Sequence, residues 1–354
     1  MRIKMAAVAA AALAFCALAL PAARAQTPTT LTFNWEGAYG RANILVWPFR
    51  PGGRYEMLVT QHTGGTVKLD IKEKLFGLMD SAFAIGDGRV QMGTQSIPAA
   101  SGTYPLLDFG GIPGLFSAMP NGAVEYANAL HDPEMMAVLD AYTKPAGFKV
   151  LGAAVSLANN ALWGNKAIRT LADFKGVKMR ASGRTQTAAL RALGGSPVTL
   201  SVAEIEEALS RGTVDAITTS MSFGAERGLM PMAKFVSIWP ITPIFAQFVA
   251  INFKAWDKLD ARQKEGLLRA SSQLTHEMPL AIEQMDLSYT LWIRSAKTEL
   301  VLPDDAEVKR AMALMHPVVK DWLDTAGPHG KDVLRIAAKY ARGPSSDFVR
   351  AMLK

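Results

Sequence analysis

Five histidines and one cysteine are the residues of this chain best suited to metal ligation or nucleophilic chemistry, and their spacing supports neither. His62, His131, His276, His316 and His329 lie far apart. None has a second histidine three to five residues away, the interval at which two imidazoles share a helix face and a metal. Each is read as a structural residue. There is no G-x-S-x-G elbow, no G-x-x-x-x-G-K-[ST] phosphate loop and no H-E-x-x-H helix. The expectation is a protein that is not an enzyme and uses no cofactor or metal, although a site assembled from residues distant in sequence stays open at this point.

The elements that would position any site alternate in type. Leu31-Thr-Phe-Asn-Trp35 reads as a strand that ends in the loop Glu36-Gly37-Ala38-Tyr39-Gly40, an arrangement suited to opening a ligand cleft. A helix follows Pro51-Gly52-Gly53 and stops at Thr63-Gly64-Gly65. Then come a strand at 66–71, a helix at 75–84 and a strand at 88–93. Such β-α-β-α-β order implies a parallel sheet, because parallel neighbours need a crossover between them. It recurs after residue 147, with strands predicted at 148–154, 196–200 and 214–217 and helices at 187–192 and 202–210. From Trp256 to about Lys297 the only helix breakers are Gly266 and Pro279. One long helix or two helices meeting at the proline fit that stretch equally.

The N-terminus points to export. Arg2 and Lys4 precede an apolar run that Pro21 ends, and Ala23-Arg24-Ala25 is a signal of A-x-A form, so cleavage is expected after Ala25. The run is shorter than the roughly 20 apolar residues a spanning helix needs. Cys16 lies inside it, behind a Phe15 too bulky for the position ahead of a lipid-modified cysteine, so the mature chain carries no thiol chemistry and no disulfide. The first 25 residues hold three of the 38 basic residues and no acid, which leaves 35 against 31, a net charge of +4. That excess is too small and too scattered to indicate nucleic acid. With 49% hydrophobic residues the chain has material for two well-buried cores.

One stretch is more specific. Leu171-Ala-Asp-Phe-Lys-Gly-Val-Lys-Met-Arg180-Ala-Ser-Gly is followed by Ala192-Leu-Gly-Gly-Ser-Pro-Val198, Glu204-Ile-Glu-Glu-Ala-Leu209 and Gly212-Thr-Val-Asp215. In order and spacing these segments resemble the periplasmic solute-binding receptors of TRAP transporters, and the resemblance runs through almost the whole mature chain. It implies an α/β, two-domain periplasmic binding protein fold with a hinge and a long domain-spanning helix. Residues 26–147 with about 240–255 would form domain I, and 148–239 with part of the C-terminal region domain II. The connecting helix would span 256–297 and a C-terminal helical segment 298–354. The implied partners are a small organic carboxylate and the small and large membrane subunits of a secondary transporter.

By position in the family pattern, Arg180 is the arginine that pairs with the ligand carboxylate, a role its planar fork of donors suits. Family members that take sugar acids or C4-dicarboxylates usually carry a second arginine where this chain has Asn159. The asparagine of the family's V-D-G-x-E-N element is here Thr219, the aromatic that commonly precedes its E-x-Y helix is Val202, and the tyrosine of that helix is Glu206. These departures favour a monocarboxylate over a dianionic or polyhydroxylated ligand. Trp35, Trp163, Phe223 and Phe245 fall near loops that line the family's cleft, which suggests an aromatic or apolar acid; Ser96 and Asn34 are further cleft-facing candidates. The rival functions are a receptor that signals to a membrane sensor and a secreted hydrolase.

Overall fold

The computed structural model describes residues 27–36, 47–117, 121–156, 161–241 and 244–354. The expected leader and Asn159 lie outside the described residues. Eleven strands occur among them: β1 Thr29–Trp35, β2 Val67–Glu73, β3 Met92–Ser96, β4 Phe148–Ser156, β5 Ala161–Gly164, β6 Lys178–Ala181, β7 Ser196–Thr199, β8 Ala216–Thr219, β9 Phe235–Ile238, β10 Phe245–Asn252 and β11 Glu299–Val301. They form two sheets, ordered β2-β1-β3-β10-β4 and β11-β9-β5-β8-β6-β7. Each sheet carries its own helices, and the molecule is a two-domain α/β protein.

In the first sheet β1 runs parallel to β2 and β3, while β10 is inserted antiparallel between β3 and β4. Every residue of β10 is buried, as expected of a strand covered on both faces. Phe248 and Ala250 enter the core on one face, and Val249 and Ile251 the core on the other. Opposite them, β4 shifts register between Val249 and Ala250, so that Leu151 is skipped in the pairing. The bulge lets Val150 and Ala153 point into the same core although they are three apart. Phe148–Ser156 was expected to open the second unit; its hydrogen-bonding along β10 assigns it to the first sheet instead.

Two local expectations also shift. Residues 75–80 turn rather than coil, and the helix starts at Ser81 and ends at Gly86. Asn34 grips this segment: its Nδ2 donates to the Phe76 carbonyl at 3.1 Å and to Ser81 Oγ at 3.0 Å, and its Oδ1 accepts from the Phe76 N–H at 3.0 Å. The third strand lies at Met92–Ser96 rather than 88–93. By contrast the helix Arg54–Thr63 ends where the glycine pair predicts, with Gly64 at φ 62°.

The long helix is a single element of 35 residues, Ala261–Ser295, capped by Asp260 and Gln263 and continuous through Pro279. At 1.5 Å per residue it runs for about 50 Å. Its first half gives Leu267, Ala270, Leu274 and Met278 to the first domain, and its far end gives Ile293 to the second. Gly152 of β4 allows the close contact, since a Cβ there would sit 2.9 Å from the Ser271 side chain and main chain. A second bridge is the helix His316–Ala326, which places Val318 in the second domain's core and Val319, Trp322 and Ala326 in the first's.

Candidate functional site

Where the strands of each sheet are parallel, their carboxyl ends face one way, and the antiparallel strands begin at that same edge. On the first sheet this edge gathers Trp35, Glu36, Ser96 and Phe245, with Gln247 opposite Ser96 in the register. On the second it gathers Arg180, near the end of β6, and Thr219, at the end of β8 opposite Ala161. The chain passes from sheet to sheet between Ser156 and Ala161 and again between Ile238 and Phe245, so both crossings leave from these edges.

A cleft of about 1070 Å³ opens between the domains. Met79, Pro98 and Ala99 line its domain I side, and Arg180, Ser182 and Leu200 its domain II side. The lining is mostly apolar with a few cationic, hydroxyl and carboxylate groups, Asp80 and Asp321 among the last, the usual form of a small-molecule site. Among the described residues Arg180 is the one expected site residue on this wall. It is only 5% exposed; its Nε donates to the Leu200 carbonyl at 3.2 Å and its Nη1 to the Thr218 carbonyl at 3.4 Å. Two main-chain tethers thus aim the guanidinium from the strand end.

The other candidates divide. Trp35, Ser96, Phe245 and Thr219 are buried at the two sheet edges, beneath the cleft rather than on its wall. Trp163 and Phe223, expected near the cleft, are packed in the second domain's core and are not on the cleft wall. Trp163 is fully buried and donates from Nε1 to the Ser220 carbonyl at 3.3 Å; Gly224 leaves room for its ring, which a Cβ there would meet at 2.2 Å. Ser220 caps the short helix Met221–Glu226 and so fixes Phe223 facing inward. Asn34 spends both amide protons and its carbonyl on Phe76 and Ser81, so it is a structural tie and not a ligand contact.

Two features carry no local signal beyond the carboxylate that closes the first strand. Glu36 is buried, its N–H donates to Thr94 Oγ1 at 3.4 Å, and the Gln247 Nε2 donates to its Oε1 at 2.6 Å. Burial raises the Glu36 pKa to about 7, against the smaller pull of Gln247 and the Ser96 main chain. The second feature spans the domains: Thr185 Oγ1, on the helix Arg184–Ala192, donates to Asp108 Oδ2 at 2.6 Å. Burial lifts Asp108 to about 7 as well. Beside this bond the Arg184 N–H donates to Ser101 Oγ at 3.2 Å, and Gly183 passes so close to Pro98 that a Cβ would lie 2.6 Å from its carbonyl oxygen.

Among the described residues no group of three or more histidine, cysteine or acidic side chains is placed to hold a metal, and no helix is long and apolar enough to cross a membrane. Two α/β domains joined by crossing strands, with an arginine set into the cleft between them, define a solute-binding protein. The chain belongs to the DctP family, described as bacterial extracellular solute-binding protein, family 7, whose model matches residues 54–325. The family is one of receptors and not an enzyme class.

Solved structures share the fold. One is an extracytoplasmic solute receptor of Bordetella pertussis binding pyroglutamic acid, with a TM-score of 0.73 and 21% identity over 87% of this chain and 99% of that one. A TRAP periplasmic solute-binding protein of Bordetella bronchiseptica with bound (R)- and (S)-mandelate gives 0.74 and 20% over 92% and 100%. One from Haemophilus influenzae with bound L-gulonate gives 0.72 and 15% over 88% and 99%.

Proposed function

We propose that this chain is the periplasmic receptor of a TRAP-type secondary transporter, which captures a small monocarboxylate between its domains and delivers it to the small and large membrane subunits. Export would remove residues 1–25 after Ala25. The observation that carries the reading is Arg180: a buried guanidinium, tethered by two main-chain carbonyls, set in the wall of a cleft between two domains. A planar fork in a site that sheds water on closing binds a carboxylate bidentately and with little screening. The named ligands of the three related structures, pyroglutamate, mandelate and gulonate, each carry a single carboxylate.

Capture would proceed by hinge closure. The two strand crossings lie beside the cleft, and the long helix ties the domains along its length, so rotation about the crossings opens and shuts the space in front of Arg180. A ligand that touches both walls favours the closed form by its differential affinity. The closed shape is the one presented to the membrane partner.

The test is a thermal-shift panel of aliphatic, keto, sugar and aromatic monocarboxylates beside dicarboxylates. A ligand that binds only the native state raises its melting temperature, by the equivalent of about 2.7 kcal/mol at a hundred times Kd. Selective shifts by monocarboxylates are expected. A response confined to dicarboxylates or sugar acids would overturn the single-anchor reading, and no response to any acid would overturn the receptor reading itself.

A further inference from the structure

Glu36 and Gln247 hold the domain I edge of the site with an incomplete set of hydrogen bonds. The amide Nε2 donates to Glu36 Oε1 at 2.6 Å, yet Glu36 Oε2 and Gln247 Oε1 are both buried with no partner. Two acceptor oxygens on adjoining planar groups, both shut off from water, need a donor, and beyond the Ser96 main-chain N–H that also reaches the Glu36 carboxyl the described residues supply none. A proton on Oε2 supplies it. It turns that oxygen into a donor beside the free arm of the same amide that already bonds the other carboxyl oxygen, and acid and amide then pair through both arms.

We propose that Glu36 is carried as a neutral carboxylic acid paired with Gln247, and that this neutrality lets the domain I edge accept a ligand carboxylate held by Arg180 from the other side. The inference rests on the receptor reading and makes Glu36 a specificity-determining residue for it. An ionised Glu36 in the same place would set a like charge against the ligand in a medium of low dielectric. Among the described residues the groups that face Glu36 are uncharged: the Thr94 hydroxyl and Ser96 main chain from β3, and the Gln247 amide from β10. Burial, with no contribution from another charge, is what holds its pKa near 7. β3 leads from this pair through Ile97 to Pro98 and Ala99 on the cleft wall, so the pair lies behind that wall and not on it.

The test has two arms. Carbon-13 titration of the side-chain carboxyls in ligand-free protein, assigned through backbone correlations and checked against Glu36→Gln, is expected to show one glutamate that titrates near pH 7. A Glu36 carbon in the carboxylate form down to the ordinary range overturns the proposal without reference to any ligand. The second arm measures pyroglutamate and mandelate affinity against pH. Wild-type affinity should fall by up to roughly tenfold per pH unit above the Glu36 midpoint, while Glu36→Gln, whatever its absolute affinity, shows no such slope. Equal slopes in both proteins overturn the link to binding. Failure of both acids to bind at any pH counts against the receptor reading, and leaves the neutral pair to be decided by the first arm.

Discussion

Replacing Arg180 separates anchoring from folding. The side chain is 5% exposed and donates to two main-chain carbonyls, so Arg180→Ala removes both a cation and the partners of Leu200 and Thr218. Leaving such acceptors unmet costs about 1–3 kcal/mol each, which the melting temperature of the free protein will register. Against a bound carboxylate the loss is larger, about 2–5 kcal/mol, because the ligand charge is then buried without a counterpart. That is a fall in affinity of roughly 30-fold to several thousandfold. Arg180→Lys keeps the charge but not the fork, and one lost charge-assisted bond, about 1.5–3 kcal/mol, predicts a weakening of roughly 10- to 100-fold. Isothermal titration calorimetry with a monocarboxylate that shifts the wild type reads all three proteins. A folded Arg180→Ala protein that binds within about threefold of wild type would refute the assignment of this residue as anchor.

Two further substitutions address the scaffold. Thr185→Val deletes the donor to Asp108 that joins the domains; if closure makes this bond, ligand affinity drops by about 1–2 kcal/mol, roughly tenfold, and small-angle scattering shows less compaction on ligand addition. Unchanged affinity and compaction would assign the bond to folding alone. Asn34→Ala breaks three hydrogen bonds to Phe76 and Ser81 and is expected to lower stability by about 1–3 kcal/mol in urea unfolding while ligand affinity holds; a selective loss of affinity would return Asn34 to the cleft.

What the sequence made legible follows the range of the forces involved. The long helix was readable because its determinants are local: apolar spacing and a near absence of breakers from 261 to 295. Pattern alone left its continuity through Pro279 open, since the packing of both halves on different domains settles that. Arg180 was singled out through a run of adjacent motifs, and it lies on the cleft wall. The core packing of Trp163 and Phe223 was not legible, because alternation says which residues share a side of a strand, not which side faces the cleft. Ser220's cap and the space left by Gly224 decide that direction.

The hardest feature was β10, which is 89 residues from the end of β4 and 149 from the end of β3 yet lies between them. The family resemblance put residues about 240–255 with the first domain, where β10 lies, but the strand pattern alone grouped β4 with the strands that follow it and not with those that precede it. That insertion also explains why Glu36 escaped notice. Its environment is made by Gln247 on the returning strand and Thr94 on its neighbour, so the burial that raises its pKa exists only once three distant segments have met. The same return crossing ends at Phe245, beside the site, and the same sheet edge therefore joins hinge and ligand chemistry. On the proposed hinge closure the chain bends within a few residues of the Glu36–Gln247 pair, so the proton there and the closure of the cleft are placed to influence each other.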